Sequence, residues 1–224
     1  PKANVIVTAA DHLILHEDLF VEAIRKSLAY VAAHPQLATL GIRPSRPETG
    51  YGYIQTIGEP DQEFYKVKTF TEKPNSEMAQ VFFESGEFLW NSGMFAWSIP
   101  SILEAFKEYL PNLTTLFEEA KDCFATPREQ ETISKALFDQ IPVFPECPNI
   151  SIDYAVLEKA SNVMVLPVDF GWADLGTWGS LYSLKDKDEQ ANVALHTEAL
   201  FYEASGNIVS MDGTQSERLV VVQG

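Results

Sequence analysis

Cysteine is scarce in this 224-residue chain: there are two, Cys123 and Cys147, in no C-x-x-C pattern and with no histidine at ligand spacing. That argues against a disulfide framework or a thiolate zinc site, and the pair reads as ordinary buried thiols of a reducing cytoplasm. Histidine is scarce as well, and His16, His34 and His196 lie too far apart to show metal spacing. His12 reads as a core residue rather than a ligand. No stretch approaches about 18 uninterrupted apolar residues, so no membrane-spanning helix is expected. The opening residues carry no basic, apolar and small-residue leader. Bases are outnumbered, with 16 Lys and Arg against 32 Asp and Glu, giving a formal net charge of -16. Nucleic acid and anionic lipid surfaces both call for a basic patch, so neither is an expected partner. A solvated acidic surface accounts for the charge.

What is present suffices for a substantial core: 46% of the residues are hydrophobic and 12% aromatic. The length fits one large domain, or one domain with a small appendage. Val5 to Ala10 is a short, almost wholly apolar run, as in a parallel strand covered on both faces. From Glu17 to Ala33, Phe20, Ile24, Leu28 and Val31 recur at helical spacing, with Glu17 and Asp18 at the positive end of the helix dipole. Leu37 to Ile42 is a second buried run, so a strand–helix–strand crossover in a largely parallel sheet is expected.

A loop with two prolines and two glycines follows, Arg43 to Tyr53. Tyr53–Ile57 and Tyr65–Thr71 read as strands, Ser76–Glu84 as a helix closed by Gly86, and Glu87–Ser98 as containing a strand. Pro100 suits the first turn of a helix through Tyr109. Amphipathic helices are expected over Asn112–Phe124 and Arg128–Phe138, a helix over Ile152–Ala160, a strand over Val163–Val168 and a helix over Thr177–Leu184. Beyond about Gln190, short apolar pieces alternate with Gly206, Asn207, Asp212 and Gly213, the spacing of an all-β module. Pro1 leads almost directly into an apolar strand, so a further segment is expected ahead of it.

Several polar constellations interrupt this pattern. Asp11 ends the first apolar run, and Asp174 sits in the turn Gly171-Trp172-Ala173-Asp174-Leu175-Gly176. Carboxylates so placed suit a hard divalent cation held against phosphate oxygens, because Mg²⁺ is usually bound by one or two carboxylates plus substrate phosphates. A carboxylate at a parallel strand's end also points into the crevice where open α/β sheets bind ligands. Helix capping is the alternative for Asp11. Gly50 and Gly52 permit either close approach to a ligand or a plain tight turn. In Thr71-Glu72-Lys73-Pro74 the proline is expected to hold Lys73 extended. Glu72 and Lys73 would then point to opposite sides and grip different parts of one ligand, or form an exposed ion pair. Asn91-Ser92-Gly93 is a polar triplet within an apolar strand and needs partners, from a ligand's hydroxyls or from nearby backbone. Asp153 follows Ser151 at a helix start, where capping is expected.

Six segments, taken in order, resemble the bacterial mannose-1-phosphate guanylyltransferases (GDP-mannose pyrophosphorylases) of the sugar-nucleotidyltransferase family. They are Thr8-Ala9-Ala10-Asp11-His12, Glu48-Thr49-Gly50-Tyr51-Gly52-Tyr53-Ile54, Phe70-Thr71-Glu72-Lys73-Pro74, Phe88-Leu89-Trp90-Asn91-Ser92-Gly93-Met94-Phe95, Ser151-Ile152-Asp153-Tyr154-Ala155 and Gly171-Trp172-Ala173-Asp174-Leu175-Gly176-Thr177-Trp178. The resemblance runs from about residue 4 to 184. It implies an α/β, Rossmann-like nucleotidyltransferase with a mixed, mostly parallel sheet, followed by the start of a β-rich C-terminal module. Residues 1–190 would be the C-terminal part of the nucleotidyltransferase domain, and 191–224 a linker and the start of the next module.

The implied reaction joins GTP and mannose 1-phosphate into GDP-mannose and pyrophosphate, with Mg²⁺ as cofactor. By the same resemblance Asp11 and Asp174 are the Mg²⁺ carboxylates. Gly50, Glu72 and Asn91 line the mannose site, and Lys73 meets the sugar phosphate; Lys73 and the two aspartates form the catalytic set. The family strand usually carries Pro where this chain has Ala10. The family's Gly-Gly-x-Gly-x-Arg loop, which cradles the triphosphate and helps bind the base, has no counterpart in these residues. Guanine is therefore not specified by them, and these 224 residues alone are expected to be inactive. A cytoplasmic homo-oligomer is expected. Two other readings stand beside this one: a nucleotidyltransferase for another sugar 1-phosphate, and a regulatory paralogue that binds sugar nucleotide without turnover. Retention of both aspartates and Lys73 favours the enzyme.

Overall fold

The computed structural model describes residues 2–119, 121–127, 129, 150–176, 178–211 and 219–224. Cys147 and nearly all of the helix expected over 128–138 lie outside the described residues. In chain order the first elements are β1 (Asn4–Val7), β2 (His12–Ile14), α1 (Glu17–Ala33), β3 (Leu37–Ile42), β4 (Tyr53–Asp61), β5 (Phe64–Thr71), α2 (Ser76–Ser85), β6 (Phe88–Ser98), α3 (Ile99–Tyr109) and α4 (Pro111–Glu119). A π-helical turn (Asp153–Leu157), β7 (Val163–Val168), β8 (Trp172–Asp174), α5 (Trp178–Leu184), β9 (Val193–Leu195), β10 (Glu198–Tyr202), β11 (Ile208–Ser210) and β12 (Leu219–Gln223) follow. Contacts divide the chain into two compact units: Pro1–Ala9 with His16–Phe170, and Ala10–Leu15 with Gly171–Gly224.

The first unit is built on a mixed sheet in the order β1-β6-β3-β7-β5-β4. Leu37–Ile42 is buried at every position and becomes β3, parallel to β7 on one side and antiparallel to β6 on the other. The apolar run at Val5 takes a different course from the one expected. It ends at Val7, pairs antiparallel with β6 and leaves Val7 43% exposed. β1 and β3 thus run in the same direction with β6 between them. No residue of β1 is fully buried, so the strand is neither covered on both faces nor, among the described residues, hydrogen-bonded to a parallel neighbour; an apolar run does not fix the direction of the strand beside it. β4 and β5 form an antiparallel hairpin, and β4 also pairs with the first residues of β6. With β5 against β7, the ladder β6–β3–β7–β5–β4 returns to β6. Ile54, Leu89 and Val165 pack together within that closed run of strands. Gly41 lies there too, and a Cβ on it would meet Leu89 Cδ1 and Val165 Cγ2 at 2.7 Å.

The helices begin and end on local signals. Asn75 caps α2 by accepting the Met78 N–H at 2.9 Å, and Gly86 closes it in the left-handed conformation. Ser98 caps α3 through the Ser101 N–H, with Pro100 in the first turn. α3 buries Ile102 and Ala105 against Leu37, Phe95 and Trp97 of the sheet and Ala155, Val156 and Leu157 of the π-helical turn. Phe95 and Trp97, two apart on one strand face, stack with ring centroids 5.7 Å apart.

The second unit contains short ladders. β2 pairs antiparallel with β8, β9 parallel with β11, and β10 parallel with β12. Asn192 holds the turn beneath β9, donating to Ala204 O and accepting from Asn207 N. Among the described residues no helix is long and apolar enough to cross a membrane.

Candidate active site

In the first unit, residues distant in sequence meet where β6 breaks its pattern. β6 pairs with β3 at Phe95 and again at Asn91, and the register shifts between Thr39 and Gly41, so Ser92-Gly93-Met94 form a bulge. Gly93 has φ 68°, a conformation that a side chain would oppose. Bulges re-aim side chains, and here the polar triplet separates into two roles. Ser92 is fully buried and donates to Leu40 O at 2.7 Å, a structural partner. Asn91 instead donates from Nδ2 to Asp153 Oδ1 at 2.8 Å. Its Oδ1 accepts the Gly93 N–H at 3.2 Å and lies 3.4 Å from Thr39 Oγ1, whose hydroxyl also reaches Met94 O.

Asp153 was expected to cap a helix. The residue preceding the π-helical turn, Ile152, is itself helical and makes no side-chain cap, and the Asp153 carboxylate turns to Asn91. Burial pushes its carboxyl above the ordinary aspartate range, and the charge of Glu72 adds to the rise, while the Asn91 bond acts against it. Glu158 is raised in the same direction, by burial first and then by Asp153 and Glu72. π-helical segments often mark functional sites. The only sequence signal for Asp153 was its place in the Ser-Ile-Asp-Tyr-Ala segment.

Glu72 lies against the backbone of Gly52. An ideal Cβ on Gly52 would stand 2.5 Å from Glu72 Oε2, 3.4 Å from Asn91 Cβ and 3.7 Å from Asn91 Nδ2. Asn91 N–H donates to Gly52 O at 2.8 Å. Gly52 is therefore the glycine of close approach. Gly50 sits two residues earlier and donates its N–H to Glu48 Oε1 at 3.0 Å. The other Glu48 oxygen takes the Arg46 guanidinium, which also lies over the Trp90 ring at 5.5 Å. The Pro-rich loop is thus pinned over the strand by an acid that the sequence did not single out. Trp90 Nε1 is buried without a partner among the described residues.

Lys73 departs from expectation. It precedes a proline yet has φ 44° instead of an extended conformation. A bulky residue there carries strain on the order of 1–3 kcal/mol. The reversal folds its ammonium back, so Lys73 Nζ pairs with Glu72 Oε1 at 2.9 Å, the lysine 64% and the glutamate 19% exposed. Adjacent residues that would face opposite ways on an extended chain here share one spot. Glu72, and more weakly Asp153, raise the Lys73 pKa, so the ammonium stays charged.

In the second unit, His12 at the start of β2 pairs in register with Asp174 at the end of β8. Asp11 directly precedes His12, so the two aspartates stand at the same end of one ladder. Asp174 Oδ1 accepts the Gly176 N–H at 2.7 Å, which fixes the carboxylate in its turn. His12 is half-buried; its Nδ1 accepts from Trp172 Nε1 at 3.1 Å and its ring meets the indole edge-on at 5.3 Å. Because an indole N–H only donates, Nδ1 is the acceptor and a neutral ring carries its proton on Nε2. Among the described residues no group of three or more His, Cys, Asp or Glu gathers into a metal cage. A two-carboxylate, all-oxygen set fits Mg²⁺, which leaves remaining positions to water and phosphate.

The family described as Nucleotidyl transferase matches residues 1–191. The chain belongs to the nucleotidyl transferase family. It is 37% identical over 229 residues to the mannose-1-phosphate guanylyltransferase of Escherichia coli (strain K12), a match that covers 98% of this chain and 46% of that protein. A mannose-1-phosphate guanylyltransferase of Salmonella typhimurium (strain LT2) is 39% identical over 189 residues, covering 84% and 38%. The chain spans about half the length of the curated relatives it matches. A solved structure from Thermus thermophilus, described as a mannose-1-phosphate geranyltransferase, superposes with a TM-score of 0.78 at 30% identity, covering 99% of this chain and 59% of that one.

Proposed function

We propose that the protein containing this chain joins GTP and mannose 1-phosphate into GDP-mannose and pyrophosphate, in a cytoplasmic setting. The observation that carries this reading is the Glu72–Lys73–Asn91 cluster beside Gly52. It offers an acceptor, a cation and an amide within one spot, the groups needed for a sugar bearing both hydroxyls and a phosphate. The curated names of the relatives support the same substrates. The end of the family match at residue 191 supports a nucleotidyltransferase part over 1–190, and the short strands β9 to β12 support a linker and the start of a β-rich module over 191–224.

In this reading Glu72 accepts hydroxyl hydrogens of the sugar, and Asn91 donates to a hydroxyl oxygen. Gly50 belongs to the loop that borders the sugar. Lys73 exchanges its contact with Glu72 for the sugar phosphate. Asp11 and Asp174 hold Mg²⁺, which when bound neutralises charge on the α-phosphate and the departing pyrophosphate. A phosphate oxygen of the sugar phosphate is itself the nucleophile, so the side chains act by positioning and by compensating charge. The test is pyrophosphate release by purified full-length protein supplied with GTP, mannose 1-phosphate and Mg²⁺. Release with glucose 1-phosphate but not mannose 1-phosphate would move the assignment to another sugar. Tight binding of both substrates without release would make it a sensor.

A further inference from the structure

Asp153 has no role in the reading above, yet it is a partly buried acid whose hydrogen bond goes to one specific side chain. We propose that Asp153 is a positioning residue: it fixes the amide of Asn91 in a single orientation, so that Asn91 can present only a donor to a sugar hydroxyl. This rests on the assignment of Asn91 to the sugar site.

An asparagine amide has two N–H donors and one carbonyl acceptor, and a half-turn about its last bond exchanges them. Asn91 is held from both ends. Asp153 Oδ1 takes one Nδ2 hydrogen at 2.8 Å, which a carboxylate can do only if nitrogen, not oxygen, faces it. On the other side Oδ1 takes the Gly93 N–H at 3.2 Å, and a backbone N–H can face only oxygen. With the Gly93 N–H on one lone pair and the Thr39 hydroxyl 3.4 Å from the same oxygen, the carbonyl is engaged on the protein side, and the second Nδ2 hydrogen is the group that can meet a ligand.

Glu72 Oε2, flanking the same face of Gly52, can only accept when ionised. A hydroxyl that accepts from Asn91 and donates to Glu72 has both of its roles prescribed. An inverted stereocentre would leave a donor or an acceptor unpaired, the situation in which a hydrogen-bonding site discriminates strongly. Burial and the nearby Glu72 carboxylate work against a charge on Asp153, while the bonds from Asn91, its own backbone and Ser151 favour it. Either protonation state leaves an oxygen able to accept from Asn91, so the orienting role does not depend on the charge.

The experiment compares Asp153→Asn and Asp153→Ala in the full-length protein, with KM and kcat measured for mannose 1-phosphate, glucose 1-phosphate and GTP. Asn keeps an oxygen that accepts from Asn91, and Ala removes it. For Ala, KM for mannose 1-phosphate should rise about ten- to a hundredfold, the scale of a hydrogen bond to a charged group. The mannose-to-glucose preference should fall with it, while KM for GTP moves far less. Asn should restore most of the loss. An Asn variant as damaged as Ala, or an Ala variant with unchanged sugar preference, overturns the proposal. If the parent protein turns over neither sugar phosphate, the functional reading fails instead. Should Ala not fold, ¹⁵N spectra of the parent and the Asn variant decide the matter. The Asn91 amide hydrogen that faces Asp153 should be protected from solvent exchange in both, and exchange of both Asn91 amide hydrogens at the rate of a free asparagine in the parent would overturn the assignment.

Discussion

At the scale of single residues, the site works by removing alternatives. Asn91 is clamped by Asp153 and Gly93, Glu72 is pressed onto a glycine backbone, and Asp174 is tied to the Gly176 N–H. Asp174→Asn keeps the shape but removes a charge at the candidate metal site. Turnover in the full-length enzyme should fall by orders of magnitude while the unfolding temperature holds; near-normal turnover at limiting Mg²⁺ would remove Asp174 from the metal. Glu72 and Lys73 should separate in substrate competition. Lys73→Ala weakens every sugar 1-phosphate about equally, whereas Glu72→Gln changes the mannose-to-glucose ratio, and equal ratios in the two variants would return the pair to a structural role. Asp153 gives a pH signature. Its folded pKa is raised, chiefly by burial, so the folded protein holds that proton more tightly than the unfolded chain. Its contribution to stability is greatest below the ordinary aspartate range and declines as pH rises through the raised value. Asp153→Asn should therefore gain unfolding temperature relative to the parent at pH 7, with the gain shrinking toward acid pH. A gain that is constant with pH would contradict the burial argument.

At the scale of elements, the closed run of strands imposes a volume limit. Gly41 faces Leu89 and Val165, buried side chains with nowhere to withdraw, and Leu89 Cβ itself is 3.0 Å from the added methyl position. Gly41→Ala should cost about 1–3 kcal/mol, the usual penalty for overpacking, read as a shift in denaturant midpoint. Removing the α2 cap with Asn75→Ala should cost about 1 kcal/mol, from a helix end outside that interior. If Gly41→Ala were the milder of the two, the interior would be looser than these distances require. The bulge in β6 belongs at this scale too. It places Ser92 in the core and Asn91 toward Asp153, a division that strict alternation would not produce.

At the scale of the whole molecule, the match to about half of each curated relative bears on activity. These 224 residues contain both candidate metal carboxylates and the sugar cluster but no Gly-Gly-x-Gly-x-Arg loop. Without a cradle the α-phosphate is not fixed, and positioning can be worth roughly 7–11 kcal/mol. A protein of these residues alone should release no detectable pyrophosphate from GTP, mannose 1-phosphate and Mg²⁺, while a form matching the relatives' full length should be active. Robust release by the shorter protein would mean that it builds its triphosphate site from residues read as structural.

Local chemistry in the sequence determined the elements. Leu37–Ile42 and Val163–Val168 became strands with those bounds because runs of buried apolar residues have few alternatives. α2 and α3 began and ended on their caps and on Pro100 and Gly86, signals that act within a few residues. The ordered motifs were enough to name the family. Tertiary structure decided what depends on distant partners. β1 ran antiparallel to β6, because a strand's direction is set by its neighbour and not by its own residues. Lys73 took a positive φ against its proline, the strained turn that brings its ammonium onto the adjacent Glu72. Asp153 left its expected cap for Asn91, 62 residues away, since a partly buried carboxylate takes the donor that the fold brings to it. Sequence pattern records what each residue prefers nearby; only the closed sheet and its bulge settle which preferences meet.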